Sequence, residues 1–298
     1  CEGTEGPRRV VKHVGIDVGG TKCHGVLVDN HGTILQEVRY PTPHAADLID
    51  LLEAMFRELG GETTLGVGVP GLITADGVIK ASPNMTGAHN IAVGPELRER
   101  LGIAVHVEND ATVAAFGEWK SGAAMGARDA VMVTLGTGIG GGIVMGGQLQ
   151  RGANGFAGEI GHMVVERNGV ECPCGRRGCW ERYASGSALK KLSGGTDGKQ
   201  VFEKFHAGDA EAIATVETFA SWIAEGLASL TNICDPEVIV IGGGVIESFE
   251  SRIDILEEKF AAALYSSEMR PHPRLAPAAL GERAGAIGAA LLVGELVN

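Results

Sequence analysis

The sequence has no apolar run near the roughly 18 residues that a bilayer-spanning helix needs. Its first nine residues, CEGTEGPRR, also lack the apolar stretch of a secretory signal peptide. We therefore expect a polar tail over residues 1–12 and a soluble, cytoplasmic protein that does not bind membranes. Thiols stay mostly reduced in the cytoplasm, so disulfide bonds are not expected.

Basic residues are fewer than acidic ones, 25 against 37, which gives a formal net charge of −12. Nucleic acids and anionic lipid surfaces bind a basic face that displaces counterions or contacts headgroups. The acidic balance therefore predicts no nucleic-acid partner and no membrane partner. Apolar residues at 44% and charged residues at 21% are ordinary for a soluble globular enzyme.

Glycine is abundant, with 46 residues, which is more than twice its average share. Three glycine turns each follow an apolar, strand-like run: IDVGGTK (16–22), TLGTGIGGG (134–142) and VIGGGV (240–245). Glycine lets the backbone come close to a phosphate and present its N–H groups to the oxygens. One such turn is as often only a tight turn, but three together favour a nucleotide-binding site.

Two common nucleotide-binding motifs do not fit the chain. It contains no GxxxxGK[ST] segment, so a P-loop is not supported. Gly136–Gly141 matches GxGxxG, and Glu159 follows about twenty residues later, as in a dinucleotide-binding Rossmann domain. That fingerprint requires the glycines to open a helix, whereas IVMGGQL follows here and is typical of a returning strand. We therefore predict a glycine hairpin at this point.

Strand-like and helix-like patterns alternate from residue 10 onward. Apolar residues recur at helical spacing over four longer segments, 45–60, 209–231, 249–265 and 284–297. The alternation predicts an α/β protein with mostly parallel sheets covered by helices. A chain of 298 residues exceeds the usual size of a single core, so we expect two domains.

Three cysteines, Cys172, Cys174 and Cys179, crowd into the segment ECPCGRRGCWE. A bond between Cys172 and Cys174 would be strained, so a disulfide is not favoured. Tetrahedral zinc takes four ligands, and His162 offers the fourth, which would give a Cys₃His site. The alternative is three reduced structural cysteines beside an unrelated histidine. We interpret the remaining cysteines, Cys1, Cys23 and Cys234, as structural.

Taken together, several motifs resemble the ROK (repressor, open reading frame, kinase) family of bacterial sugar kinases, and among its members glucokinase most. They are DxGGTK at 17–22, PG at 70–71, END at 108–110, LGTGIGGG at 135–142, ExGH at 159–162, CxCGxxGCxE at 172–181 and ASG at 184–186. The combination of ExGH with CxCGxxGCxE is specific to that family, and the resemblance covers residues 14 to 294.

The resemblance implies the actin-like ATPase (ribonuclease H-like) fold, with two α/β domains around a cleft. The small domain would cover residues 13–115 and be completed by a C-terminal helix at 284–297, and the large domain would cover 116–283. It also implies phosphorylation of a hexose with ATP and Mg²⁺, and a homodimer.

The resemblance further assigns roles to individual residues. Asp110 would be the catalytic base that accepts the proton of the sugar hydroxyl. The alternative is a purely structural role, in which Asp110 only caps a helix over 111–119. The sugar would be bound by six further residues: Gly71, Asn84, Asn109, Glu159, His162 and Glu181.

For ATP, the same resemblance implies three groups of residues. The first phosphate turn would be Asp17, Gly19, Gly20 and Thr21, with Asp17 near Mg²⁺. The second turn would be Gly136, Thr137 and Gly138, and the adenosine would lie against Gly242, Gly243 and Gly244. A closed Cys₃His shell would make the zinc structural, because it leaves no open position for a substrate. One imidazole nitrogen of His162 would then hold zinc while the other faces the sugar.

One departure from the family affects the choice of sugar. Family glucokinases often follow the asparagine loop with an aromatic residue, roughly PNxxGW, whereas this chain has Ala88 at the end of PNMTGA, residues 83–88. Glucose is the expected substrate, with N-acetylmannosamine or fructose as alternatives. Alternatives of another class are a sugar-responsive transcriptional regulator, which in this family carries an additional N-terminal helix-turn-helix, and a non-catalytic sugar-binding relative.

Overall fold

The computed structural model describes residues 11–82, 89–249 and 253–297. The strands, in chain order, are β1 (Lys12–Val18), β2 (Lys22–Asp29), β3 (Ile34–Pro41), β4 (Thr64–Val69), β5 (Leu72–Ile73), β6 (Ile79–Ala81), β7 (Ala104–Asn109), β8 (Ala130–Leu135), β9 (Ile139–Met145), β10 (Gln148–Leu149), β11 (Val238–Gly242) and β12 (Arg274–Pro277). The helices are α1 (Leu48–Glu58), α2 (Val93–Leu101), α3 (Asp110–Ser121), α4 (Glu181–Ala184), α5 (Gly186–Leu192), α6 (Gly198–His206), α7 (Ala210–Cys234), α8 (Gly244–Phe249), α9 (Ile253–Ala263) and α10 (Ala284–Val297).

The chain forms two compact units. The first consists of Cys1–Lys120 with Arg283–Asn298, and the second consists of Ser121–Glu282. Each unit has its own five-stranded sheet and its own buried apolar core. In the part of the chain that the structure describes, no helix is long and apolar enough to cross a bilayer.

The sheet of the first unit has the strand order β3-β2-β1-β4-β7. Strands β1, β4 and β7 run parallel to one another, and β2 and β3 form antiparallel hairpins beside them. Parallel strands need crossover connections, and α1 supplies one between β3 and β4. Helix α1 buries five apolar side chains at helical spacing, at positions 48, 49, 52, 55 and 56, and it is shorter than the predicted helix over 45–60.

The last helix, α10, packs unusually close to the sheet and to α3. A Cβ atom added at Gly15 on β1 or at Gly66 on β4 would overlap the carbonyl oxygens of Ala286 and Ala289 in α10. A Cβ atom at Gly288 would overlap the backbone of α3 in the same way. These glycines let backbone lie on backbone, so part of the glycine excess serves packing rather than the phosphate turns predicted from the sequence.

The sheet of the second unit has the order β10-β9-β8-β11-β12. Strands β8, β11 and β12 are parallel, and β9 pairs antiparallel with β8 through the turn at residues 136–138. The predicted glycine hairpin is therefore confirmed, as is the conclusion that these glycines do not open a helix.

Helix α7 forms the centre of the second unit. Its N-terminus is capped by Asp209, whose carboxylate accepts a hydrogen bond from the Ala212 N–H, and it continues three residues beyond the predicted end, to Cys234. Its buried face packs with α9, α6 and α4. The single helix predicted over 249–265 contains α9, whereas α8 already ends at Phe249.

We predict that Gly66→Ala destabilises the protein by about 1–3 kcal/mol, because α10 must shift to make room for the methyl group. Thermal or denaturant unfolding measures the change. The matched control is Gly20→Ala, since a Cβ atom at Gly20 meets nothing within 4 Å and its φ is not in the left-handed region. Equal stabilities of the two variants would contradict the packing argument.

Candidate functional site

The carboxyl-terminal edge of the first sheet brings together two of the predicted acidic residues. Asp17 lies near the end of β1, and Asp110 follows directly after β7 as the first residue of α3. Gly68 on the intervening strand β4 lies between them, since an added Cβ atom there would be 3.3 Å from Asp17 Oδ1 and 3.6 Å from Asp110 Cα. Parallel strands thus place both carboxyl groups at one site.

Asn109, rather than Asp110, caps helix α3. The Oδ1 atom of Asn109 accepts a hydrogen bond from the Thr112 N–H at 3.0 Å, and its Nδ2 donates to the carbonyl oxygen of Gly71 at 3.2 Å. Asp110 Oδ1 accepts from the N–H of the next residue, Ala111, at 2.9 Å. The alternative that Asp110 is simply the helix cap is therefore wrong, and its second carboxylate oxygen is not used in capping.

Burial changes the electrostatics of this acidic pair. It raises the pKa of Asp17 to about 8, the charge of Asp110 adds to the rise, and the charge of Lys22 opposes it. Burial also raises the pKa of Asp110, partly offset by the hydrogen bond from the Ala111 N–H. Among the described residues, the buried Oδ1 atom of Asp17 has no hydrogen-bond partner. Such an atom fits a site for Mg²⁺, which prefers carboxylate and water oxygens.

The first predicted phosphate turn connects β1 to β2. The Gly19 N–H donates to the carbonyl oxygen of Lys22 at 2.9 Å and closes the turn. Gly20 at its tip is exposed, and a Cβ atom there would meet nothing within 4 Å. Thr21 is also exposed. The turn therefore offers open space beside its backbone, as a phosphate-binding turn requires.

In the second unit, the β8–β9 turn borders a cavity of about 470 Å³. Three predicted residues line it, namely Gly136, Thr137 and Gly244. Lining residues on and beside α5 and α6 were not predicted; they include Ser187, Leu189, Lys190, Asp197, Lys199 and Phe202. Apolar side chains with two lysines beside a glycine turn suit a nucleotide, because the base is apolar and the phosphates are anionic.

The three predicted glycines where β11 meets α8 differ in their surroundings. A Cβ atom at Gly242 would lie 3.1 Å from Met132 Cε, and one at Gly243 would press on the backbone of Leu135 in β8. Only Gly244 has open space and lines the cavity. A side chain at Gly243 would clash within the protein itself and one at Gly242 would be tightly packed, which the sequence pattern could not distinguish from a clash with a nucleotide.

The four predicted zinc ligands converge. One ligand atom from each of His162, Cys172, Cys174 and Cys179 lies within 4.8 Å of all the others. The Sγ atoms of Cys174 and Cys179 are 3.6 Å apart, and His162 Nδ1 is 3.8 Å from Cys172 Sγ. In a tetrahedral site with Zn–S bonds of about 2.3 Å, two ligand atoms are about 3.8 Å apart. The residues therefore fit a zinc ion.

A backbone hydrogen bond within the loop and one buried tryptophan hold the cysteines in place. The Cys172 N–H donates to the carbonyl oxygen of Arg176 at 2.8 Å, which folds the loop back on itself. Trp180 is fully buried next to Cys179, and its Nε1–H donates to the carbonyl oxygen of Trp222 in α7 at 2.7 Å. Its ring fills the space over Gly226, where a Cβ atom would overlap it. Sequence reasoning missed this anchor, although Trp180 stands between two predicted site residues.

The two predicted sugar-binding carboxylates of the second unit lie beside the cysteine cluster. Glu159 Oε2 is 4.0 Å from Nε2 of His162, the ring nitrogen that does not face the cysteines. Glu181 Oε1 accepts the Cys172 S–H at 3.2 Å, and a Cβ atom at Gly138 would lie 2.7 Å from Glu181 Oε2. Glu181 therefore joins the cluster to the β8–β9 turn.

The predicted residues thus form one group in each unit. The first unit carries Asp17, Gly19, Gly20, Thr21, Gly71, Asn109 and Asp110. The second carries the turn glycines, the two carboxylates and the cluster. The remaining predicted sugar contact, Asn84, lies outside the described residues.

Comparisons with known proteins match nearly the whole chain. The sequence model of the ROK family matches residues 13–295. A glucokinase of Streptomyces coelicolor is 32% identical over 309 residues, which cover 95% of this chain and 97% of the relative. The xylose repressor of Bacillus subtilis is 32% identical over 294 residues, which cover 94% of this chain and 76% of the relative.

A solved structure is similar over the same range. It is a ROK family glucokinase from Streptomyces griseus in complex with glucose and AMPPNP, at 34% identity and a TM-score of 0.84, with 96% of this chain and 100% of that chain covered. The expected actin-like ATPase fold, with its mixed α/β sheets, is confirmed by this similarity and by the family match.

We predict that Asp17→Asn stabilises the protein in the absence of Mg²⁺ and nucleotide, and that the gain grows with pH. The pKa of Asp17 is raised from 3.8 to about 8 in the folded protein, so the folded state binds this proton more tightly than the unfolded state does. The wild type therefore loses stability relative to the variant as the pH rises from about 4 to about 8. Melting temperatures of both proteins across that range test the prediction, and a constant difference would contradict it.

Proposed function

The chain belongs to the ROK family, and from this premise we propose that it is an ATP-dependent sugar kinase that converts glucose to glucose 6-phosphate. The observation that supports this most is that Asp17 and Asp110, both half-buried, lie together at the carboxyl-terminal edge of the first sheet, where Oδ1 of Asp17 has no hydrogen-bond partner among the described residues. Burial raises the pKa of Asp110, which makes its carboxylate a better acceptor for the proton of a hydroxyl group. The relatives named glucokinase support glucose as the substrate.

In this proposal, Asp110 is the general base. Its carboxylate accepts the proton of the sugar's 6-hydroxyl group as that oxygen attacks the γ-phosphorus atom of ATP, and the bond from this phosphorus to the bridging oxygen breaks so that ADP leaves. The cap at Asn109 and the bond from Ala111 hold the Asp110 carboxyl group at the start of α3. The helix N-terminus favours the charged form, whereas burial favours the neutral form.

The sugar is bound, in this proposal, by polar side chains and backbone groups of the residues that the sequence predicts. Asn109 retains one N–H hydrogen and one lone pair beyond its two internal bonds, and Gly71 is fixed beside it. Glu159 and Glu181 accept hydrogen bonds from sugar hydroxyl groups, and charge-assisted bonds of this kind are strong. His162 contributes Nε2, and Asn84 completes the predicted set.

For the nucleotide, we propose ATP with Mg²⁺. The turn at Gly19–Thr21 and the turn at Gly136–Gly138 present backbone N–H groups to phosphate oxygens, and the cavity beside Gly244 holds the adenosine. Asp17 would lie near Mg²⁺, with its unpartnered Oδ1 available. When bound, Mg²⁺ neutralises charge on the phosphates of ATP, including the one that is transferred.

We propose that the zinc ion is structural. Its ligands would be Nδ1 of His162 and the thiolates of Cys172, Cys174 and Cys179, which close the coordination shell. The site would then fix the ring of His162 so that Nε2 faces Glu159. Without metal, burial raises the pKa of the Cys172 thiol to about 12, so this thiol stays protonated and donates to Glu181.

The similarity to a xylose repressor supports a second candidate, a sugar-responsive transcriptional regulator. The acidic charge of −12 favours the kinase over a DNA-binding role. N-acetylmannosamine and fructose are the alternative substrates of the kinase. A homodimer remains a prediction that light scattering after size-exclusion chromatography can test.

We predict that the purified protein releases ADP from ATP in the presence of glucose, and that Asp110→Asn lowers this rate by roughly 10²- to 10⁴-fold. A coupled ADP-release assay across a panel of hexoses measures the rate. Asp50→Asn, at an exposed position of α1, is the matched control and should retain the wild-type rate.

The outcomes of this assay separate the candidates. If no sugar raises ADP release above the rate of the Asp110 variant, the kinase proposal is wrong and a regulatory role is favoured. If N-acetylmannosamine or fructose is preferred, only the substrate changes.

We also predict that loss of the zinc site lowers sugar affinity and thermal stability together. Cys174→Ser removes a ligand whose side chain is exposed, so it disturbs packing little. Glucose affinity should fall about tenfold, because Glu181 and His162 lose their fixed positions. Cys234→Ser, at a buried cysteine outside the cluster, is the control and should keep its zinc content. Metal analysis, melting curves and calorimetry with glucose give the three readouts, and unchanged glucose affinity in zinc-free protein would contradict the prediction.

A further inference from the structure

The loop after β3 contacts both ends of the first phosphate turn through one residue, Thr42. Its hydroxyl group donates a hydrogen bond to the carbonyl oxygen of Gly19 at 2.6 Å. Its backbone N–H donates to the carbonyl oxygen of Thr21 at 3.1 Å. Neither bond is part of the turn's own closure, which runs from the Gly19 N–H to Lys22. Thr42 therefore holds the turn from outside.

The bond to Gly19 has a directional consequence. The carbonyl group of Gly19 and the N–H group of Gly20 belong to one planar peptide unit and point in opposite directions. When Thr42 binds the carbonyl oxygen, the Gly20 N–H must point away from Thr42. The space beside Gly20 is open, since an added Cβ atom would meet nothing within 4 Å. Gly20 is also exposed, so an anion has room beside this part of the turn.

The surroundings of Thr42 restrict its own movement. Pro41 and Pro43 flank it, and proline fixes the φ angle near −65°. Pro41 is also the register partner of Lys22 in the β2–β3 ladder. The Sγ atom of buried Cys23 lies 3.8 Å from the Thr42 hydroxyl oxygen, within sulfur hydrogen-bond distance. The hydroxyl group is thus held in place before any ligand binds.

We propose that Thr42 is a positioning residue for the nucleotide: its hydroxyl group orients the Gly19–Gly20 peptide so that the Gly20 N–H donates to a phosphate oxygen of ATP. The inference rests on the proposed kinase function and adds a residue outside the glycine motif. Thr42 does not contact the phosphate itself. Its contribution is preorganisation, which lowers the cost of ordering the turn when the nucleotide binds.

The test compares two variants of the wild type. Thr42→Val keeps the side-chain shape and the backbone N–H but removes the hydroxyl group, whereas Thr42→Ser keeps the hydroxyl group. Thr218→Val is the matched control, because the Thr218 hydroxyl also donates to a main-chain carbonyl oxygen, that of Ala214, but on the surface of α7. Calorimetry measures the Kd of AMPPNP with Mg²⁺ and, separately, the Kd of glucose. Melting temperatures report the stability of each variant.

We expect Thr42→Val to weaken AMPPNP binding about tenfold, the effect of losing one hydrogen bond of ordinary net strength. Thr42→Ser and Thr218→Val should bind AMPPNP as the wild type does, and glucose affinity should be unchanged in all three. Equal AMPPNP affinity of Thr42→Val and wild type would overturn the inference. So would a parallel loss of glucose affinity and stability, which indicates a structural role alone. If the wild type itself does not bind AMPPNP, the proposed function fails, and the inference fails with it.

Discussion

The contact between the backbone of α10 and the sheet beneath it determines the geometry of the first unit. Glycines at positions 15 and 66 allow the helix to lie against β1 and β4 without intervening side chains. A Cβ atom at Gly285 would lie 2.6 Å from Asp17 Cγ, so the first turn of α10 rests directly on that carboxyl group. The helix N-terminus favours a charged carboxylate, while burial and Asp110 favour a neutral one, and the result is a raised pKa.

In the second unit, one buried aromatic residue has a comparable role. The ring of Trp180 packs over Gly226 of α7. Its neighbours in the chain are Cys179, a candidate zinc ligand, and Glu181, a candidate sugar ligand. Because Glu181 also touches Cys172 and the turn at Gly138, a displacement of any one of these groups would move the others. Within the second unit, the cluster, Glu181 and the turn at Gly138 therefore form one connected set of contacts.

Much of this arrangement could be predicted from sequence, and the failures have a common cause. The α/β class, the glycine hairpin and the bounds of α10 follow from local patterns, and the cysteine spacing predicts which ligand atoms converge. The sequence pattern could not show which glycines pack against another chain segment, because that depends on residues more than two hundred positions away, as for Gly66 and Ala289. The alternative that Asp110 caps α3 placed the cap one residue late, because both Asn109 and Asp110 are good capping residues.

The structural features that cost stability lie at the positions proposed for function. Two half-buried acids lie at the end of β1 and the start of α3, and loss of solvent raises the pKa of both carboxyl groups. The residue between them on β4 is Gly68, although a glycine weakens a strand interior. A strand that ends in apolar residues would pack better but would leave no carboxyl group for a cation or a proton. Because the tight packing of α10 stabilises the same unit, the fold can retain this unfavourable pair, and the pair is the strongest physical reason to regard the sheet edge as an active site.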